Sequence, residues 1–268
     1  KYIKLYYIME KILYITTFNK KLYNLSGKDF INSFLKYIKN GILLICYEDE
    51  KPDFSSDRLI FYNLAEDDFL KKWLETNKCR IPKFYGGELE DNDPLFGKTY
   101  QEQPWANYRA SRYFRKVVSL NYGLNTYSDN YDYIFVVDCD CEFKKNIDTD
   151  VVNLLFEDNI SMFYFWGKYR KQINRGPETG ITGYSKQNNG FKFASKICEC
   201  YKSQDFLKYQ FWDDGYVIGC LINENINNYN FKDLVSKSNI KTTRVMEINS
   251  NILYDIIHHY KNKHKVSL

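Results

Sequence analysis

No apolar run in this chain reaches membrane-span length. The opening stretch, residues 1–18, is broken by Lys4, Glu10 and Lys11, whereas a span needs about 20 predominantly apolar residues. The same charges spoil a signal-peptide reading, and none is evident. The C-x2-C spacing of zinc sites is missing. Four of the seven cysteines form the C-x-C pairs Cys139/Cys141 and Cys198/Cys200, and an odd total argues against a disulfide framework. The thiols are therefore expected to be reduced and mostly buried. Neither sign of charge dominates. The 38 Lys and Arg against 34 Asp and Glu give a net +4, too mild to argue for nucleic acid, and a small anionic ligand fits as well. Histidine is scarce, and all three lie at positions 258, 259 and 264. No glycine precedes Gly27.

Hydrophobic residues at 44%, aromatics at 18% and a length of 268 residues supply a core for one large α/β domain. Residues 11–16 and 41–46 read as strands. Residues 27–38 between them place Phe30, Ile31, Phe34, Leu35 and Ile38 at helical period, with Ser26 as the cap, making a βαβ unit. Further helices are expected over residues 67–77, 105–124, 190–201 and 212–222, and a strand over 161–166. Residues 79–103 and 168–180 read as loops. No repeat or linker stands out. One domain over residues 9–268 is the expectation, with 9–140 binding nucleotide and 141–268 binding acceptor.

The strongest chemical signal is Asp132-Tyr133-Ile134-Phe135-Val136-Val137 running into Asp138-Cys139-Asp140. An apolar run without alternation is a strand buried on both faces. Continued alternation would project Asp138 and Asp140 together, with Cys139 pointing away. Two carboxylates at a strand's carboxyl end suit a hard cation such as Mg²⁺ or Mn²⁺, and that end of an open α/β sheet is where ligands bind. A strand running into an acidic loop is the plainer alternative.

With these residues in place the chain resembles the GT-A-fold, DxD-containing glycosyltransferases, particularly bacterial and viral inverting members. The resemblance covers residues 11–265. It implies a Rossmann-like open mixed sheet, mostly parallel and flanked by helices. It also implies a divalent ion, Mn²⁺ or Mg²⁺, on Asp138 and Asp140 that bridges a nucleotide-sugar's diphosphate. Arg112-Tyr-Phe-Arg-Lys116-Val resembles the R-x-x-x-K-V helix of that fold. Arg112 and Lys116 share a helix face, either as a solvated basic stripe or as two cations for phosphate. Glu178-Thr-Gly180-Ile-Thr-Gly183 resembles the E-x-G-x-x-G/F acceptor loop, giving Glu178 and Gly180 to the acceptor. Phe211-Trp212-Asp213-Asp214-Gly-Tyr-Val resembles W-H-D-S-Y-V-F. There Trp212 lines the acceptor site, Asp214 aligns with the general base, and Asp213 is either a second catalytic acid or a helix cap. Residues 258–265 resemble the tail H-x-K-G-x-K, which implies His259 as a metal ligand and Lys261 and Lys263 on the diphosphate; Asn262 stands where the pattern has glycine.

The first βαβ unit is expected to hold base and ribose through Thr16, Thr17, Glu48 and Asp49, although Thr16 also suits plain strand-end packing. The implied reaction moves a sugar from a UDP- or GDP-sugar donor to the hydroxyl of a glycan or other acceptor. Asp214 takes the proton, and the anomeric centre is inverted. A sugar-nucleotide pyrophosphorylase is one rival. It calls for a glycine-rich phosphate loop after the first strand, where this chain has Thr17-Phe18-Asn19-Lys20. A catalytically silent nucleotide-sugar-binding module is another. Met9 reads as a natural start, which makes residues 1–8 an upstream extension, and a cytoplasmic location is expected. Richness in Lys, Asn, Ile and Tyr suggests an AT-rich coding genome such as that of some large viruses, so the cytoplasm could be a host's.

Overall fold

The apolar runs legible as strands lie side by side in one sheet. In the computed structural model, which describes residues 11–77 and 110–260, β1 (Ile12–Phe18), β2 (Ile42–Tyr47) and β3 (Leu59–Asn63) pair in parallel, and β4 (Tyr133–Val137) joins β1 on its other side. The short β5 (Cys141–Phe143) leaves this sheet, which β6 (Met162–Phe165), β7 (Glu178–Ser185) and β8 (Phe231–Asp233) complete in the order β3-β2-β1-β4-β7-β6-β8. Only β7 runs antiparallel to its neighbours. β9 (Ile257–His259) pairs with β5 in a separate antiparallel ribbon. The architecture is thus the expected α/β one: an open, mixed, mostly parallel sheet flanked by helices.

The sheet separates two apolar layers. On one side lie α1 (Lys28–Tyr37), which buries Phe30, Ile31 and Phe34, and the β5/β9 ribbon. On the opposite side are α2 (Asp68–Asn77) and α3 (Ala110–Tyr127). α4 (Thr149–Phe156) joins the α1 layer, and α5 (Gly167–Gln172) follows β6. α6 (Gly190–Lys202) and α7 (Asp214–Glu224) complete the α3 layer. Tyr14, Phe135, Phe143 and Phe163 are fully buried in the α1 layer, where Tyr14 meets Phe34, Phe135 and Phe143 edge to face. Among the described residues no helix is long and apolar enough to cross a membrane. The six described cysteines are free thiols, five of them buried.

Three local expectations are corrected. The first helix starts at Lys20, capped by Asn19 Oδ1, which accepts from Leu22 N at 2.9 Å. It passes through a π-helical turn, Tyr23–Gly27, into α1. Ser26 is no cap, because its hydroxyl bonds back to Leu22 O inside that turn. Residues 168–180 are no loop, since α5 and the start of β7 occupy much of that stretch. The last long helix begins at Asp214 rather than Trp212, because Asp213 has the extended backbone of a cap. The expected loop 79–103 and the first residues of the helix expected from Trp105 lie outside the described residues. β1 has β2 on one side and β4 on the other, so strand order reverses there. Such a switch point opens a crevice at the carboxyl ends of the strands.

Candidate active site

β4 ends at Val137, opposite Ile181 of β7, and the chain turns at once. Asp138 N donates to Gly180 O at 2.8 Å, and Cys141 N donates to Asp138 O at 3.1 Å. The alternation that would send Asp138 and Asp140 to one side therefore stops at the strand end. The two carboxylates take different partners.

Asp138 Oδ1 lies 2.5 Å from Lys116 Nζ, and the same ammonium lies 2.9 Å from Asp214 Oδ2. Lys116 also donates to the backbone carbonyl and hydroxyl of Thr179. Burial pulls the Lys116 pKa down, but Asp138 and Asp214 outweigh it, and the net shift is upward. Burial is also the main influence on Asp138. Asp140 and Asp214 reinforce it against Lys116 and His259, so the pKa is raised. Asp214 is buried in the first turn of α7, where the helix dipole favours an anion. Its neighbour Asp213 accepts from Tyr216 N at 3.0 Å, as an N-cap does.

Asp140 meets the other cation. Its Oδ1 is 3.1 Å from His259 Nε2, and Glu178 Oε1 is 3.3 Å from His259 Nδ1. Glu178 is almost wholly buried, and its second oxygen accepts from Met246 N at 3.0 Å. Burial alone would lower the His259 pKa, but the bonds to Asp140 and Glu178 prevail and push it up to about 9. His259 reaches this position through the β5/β9 ribbon, where Cys141 faces His259 and Glu142 faces His258. His258 sits apart, against Tyr254 and Tyr260. A β-carbon on Gly180 would lie 2.6 Å from Met246 Sδ and 2.8 Å from His259 Nδ1. Glycine is therefore required here to let the imidazole pass. Gly176 likewise abuts the backbone of Gly215 with no room for a side chain, which fastens the start of β7 to the start of α7. Buried Arg170 donates to the carbonyls of Gly176, Pro177 and Thr243 around the same junction. Neither Arg170 nor Met246 stands out in the sequence as a site residue.

Among the described residues, ligand atoms of Asp140, Cys141 and His259 lie within 4.8 Å of one another; Asp138 is not in that group. Burial raises the Cys141 thiol well above its ordinary range, and its sulfur donates to Gly180 O. The donors suited to a hard cation are the Asp140 carboxylate and the His259 imidazole. Glu178 on the far nitrogen is placed as the outer carboxylate that such a ligand histidine would need. Four carboxylates, Asp138, Asp140, Asp214 and Glu178, face two cations. That local excess of negative charge fits a divalent ion.

The remaining expected residues are more dispersed. Thr16 and Thr17 end β1 with buried hydroxyls that have no hydrogen-bond partner among the described residues. Glu48 is 2.5 Å from Arg115 Nε, and Asp49 accepts from Lys20 N at 3.0 Å. Arg112 is exposed on α3. The Trp212 ring packs against Phe206, and its Nε1 donates to Tyr209 O. Lys261 and Lys263 lie outside the described residues.

No protein-family model matches the chain, and no curated protein matches it. Among solved structures, the chain is similar to the crystal structure of mouse xyloside xylosyltransferase 1 in its apo form, at 13% identity and a TM-score of 0.48, over 84% of this chain and 85% of that one. A likeness at that level carries no argument about chemistry, which rests here on the geometry of the site.

Proposed function

We propose that the chain is a nucleotide-sugar-dependent glycosyltransferase whose centre is the cluster of Asp138, Asp140, Asp214, Glu178, Lys116 and His259. One observation carries this reading: four buried or half-buried carboxylates face two cations at the carboxyl end of a mostly parallel sheet, beside the β1/β4 switch point. A diphosphate cannot approach such a cluster unless its charge is offset. Asp140 and His259, with Asp138 beside them, would hold Mn²⁺ or Mg²⁺. Such an ion supplies electrostatic neutralisation of a departing diphosphate.

The chain's own groups do the rest. Glu178 fixes the orientation of the His259 ring. Lys116 pairs with both Asp138 and Asp214 and so holds the end of β4 against the start of α7. Asp214 accepts the proton of the acceptor hydroxyl as that oxygen attacks the anomeric carbon, a contribution typically worth about 10²–10⁴-fold. A single base serving one displacement gives inversion. The nucleotide's base and ribose would be held at the carboxyl ends of β1 and β2, where Thr16, Thr17, Glu48 and Asp49 lie. Arg112, Lys261 and Lys263 add cations for the phosphates, and Gly180 and Trp212 border the acceptor.

The pyrophosphorylase alternative is disfavoured by the chain that follows β1. A triphosphate cradle uses free backbone N–H groups at a helix N-terminus, and here Asp49 and Asn19 already accept from Lys20 N and Leu22 N. The reading is tested by incubating the protein with Mn²⁺ and a panel of UDP- and GDP-sugars, then measuring released nucleoside diphosphate. Release that Asp214→Asn abolishes supports it. No release from any donor contradicts it.

A further inference from the structure

β7 ends far from the acidic cluster, because its eight residues at about 3.3 Å each separate the two ends of the strand. Around that far end, the turns before β6, after β7 and before β8 border a shallow, open cleft of about 250 Å³. Every side chain lining it is neutral and polar. Its frame is fixed by the protein's own hydrogen bonds. Ser161 Oγ donates to Asn188 O, Asn188 Nδ2 to Ile160 O, and Asn230 Nδ2 to Asn159 O. Gly190 beneath it has no space for a β-carbon against Ser161 O.

Four further carboxamides, on Gln187, Asn189, Asn227 and Asn228, border the cleft, and no hydrogen bond holds their side chains among the described residues. Tyr229 forms a wall that is itself anchored, its ring 5.3 Å from that of Phe193. The Lys196 ammonium lies over that ring at 6.0 Å and is not among the lining groups.

We infer that this cleft binds one residue of a neutral glycan, as a docking subsite remote from the reaction centre. A carboxamide presents an acceptor and a pair of donors side by side. Neighbouring sugar hydroxyls need that same combination, since each both gives and takes a hydrogen bond. With no cation in its lining the cleft has nothing to offset a phosphate or sulfate, and with no carboxylate nothing to hold a cation. Its volume falls below the roughly 300–1,000 Å³ of pockets that engulf a ligand, so it grips part of a longer chain. Only the frame is ready-made, through Ser161, Asn188 and Asn230, and the four unheld carboxamides order on binding, which fits weak affinity.

The test is a titration of the ¹⁵N-labelled full chain with neutral oligosaccharides of the gluco, xylo, galacto and N-acetylglucosamine series, and with a sulfated oligosaccharide. The expected result is millimolar binding of at least one neutral series, with amide shifts centred on residues 187–189 and 227–230. Asn228→Ala combined with Gln187→Ala should weaken it by about tenfold, the equivalent of one or two hydrogen bonds. Both positions are exposed, so the variant should fold, as its spectrum away from the cleft will show. The inference is overturned if no neutral oligosaccharide shifts these residues, if the double variant binds like wild type, or if the sulfated compound binds as well as the neutral ones. Direct binding is read without any transfer reaction, so this result stands apart from the fate of the proposed activity.

Discussion

Lys116 and Asp214 join α3 to α7 through a 2.9 Å ion pair, and the other side of the same ammonium is 2.5 Å from Asp138. One lysine thus holds the end of β4 against the start of α7. Lys116→Met would leave two carboxylates in a largely desolvated site without their cation. A loss of about 3–5 kcal/mol in urea unfolding is expected, as when one partner of a buried pair is removed. Adding Asp214→Asn should restore part of it. If the two substitutions are simply additive, the coupling is absent.

Asp213 and Asp214 should separate cleanly. Asp213→Ala removes the acceptor for Tyr216 N and should lower stability by about 0.5–2 kcal/mol with transfer largely retained. Asp214→Asn should abolish transfer while donor affinity stays near wild type, since the base meets the acceptor and not the donor. Exchanged outcomes would move the base to Asp213. Full transfer by both variants would discard the inverting route, and NMR of the product's anomeric configuration decides that point independently.

Gly180→Ala should disturb His259 directly. The added methyl lies within 2.8 Å of Nδ1 and 2.6 Å of Met246 Sδ, and overpacking of this kind costs roughly 1–3 kcal/mol. Met246 can bend away, whereas the imidazole is held by two carboxylates. Adding Met246→Ala should therefore recover stability more fully than it recovers Mn²⁺ affinity. Equal recovery of both would show that His259 is not displaced.

In metal-free protein, His259 makes stability fall with rising pH. Its folded pKa of about 9 stands above the ordinary value of about 6.5. The stabilisation is therefore fully present below about pH 6.5 and is lost as pH climbs through about 9. Denaturation in EDTA across that window should show the decline in wild type and a shallower one in His259→Gln. Parallel curves would contradict the assignment.

Four of the sheet's seven strands, β1, β2, β4 and β6, were legible because they read as unbroken apolar runs, whereas β3, β7 and β8 were not. Helices α1, α3, α6 and α7 show the period of 3.6 residues. β5 and β9 were not legible. Each has three residues, and they pair across more than a hundred positions, so no local pattern announces them. Within the site, Asp138, Asp140, Asp214 and His259 stand out by residue type and order. Their pairings do not. Glu178 reads from its motif as an acceptor contact, yet its oxygens meet His259 and Met246 N. Lys116 shares a helical face with Arg112, but its partners come from β4, β7 and α7. Only long-range folding assigns them.

The most direct measurement is calorimetry of UDP and GDP binding with Mn²⁺ and with EDTA, on wild type and on Asp140→Asn. The account predicts that at least one nucleotide binds wild type only when Mn²⁺ is present, and that Asp140→Asn loses most of this binding while keeping its fold. Equal affinity in Mn²⁺ and EDTA, or Mn²⁺-dependent binding that Asp140→Asn leaves intact, would contradict it.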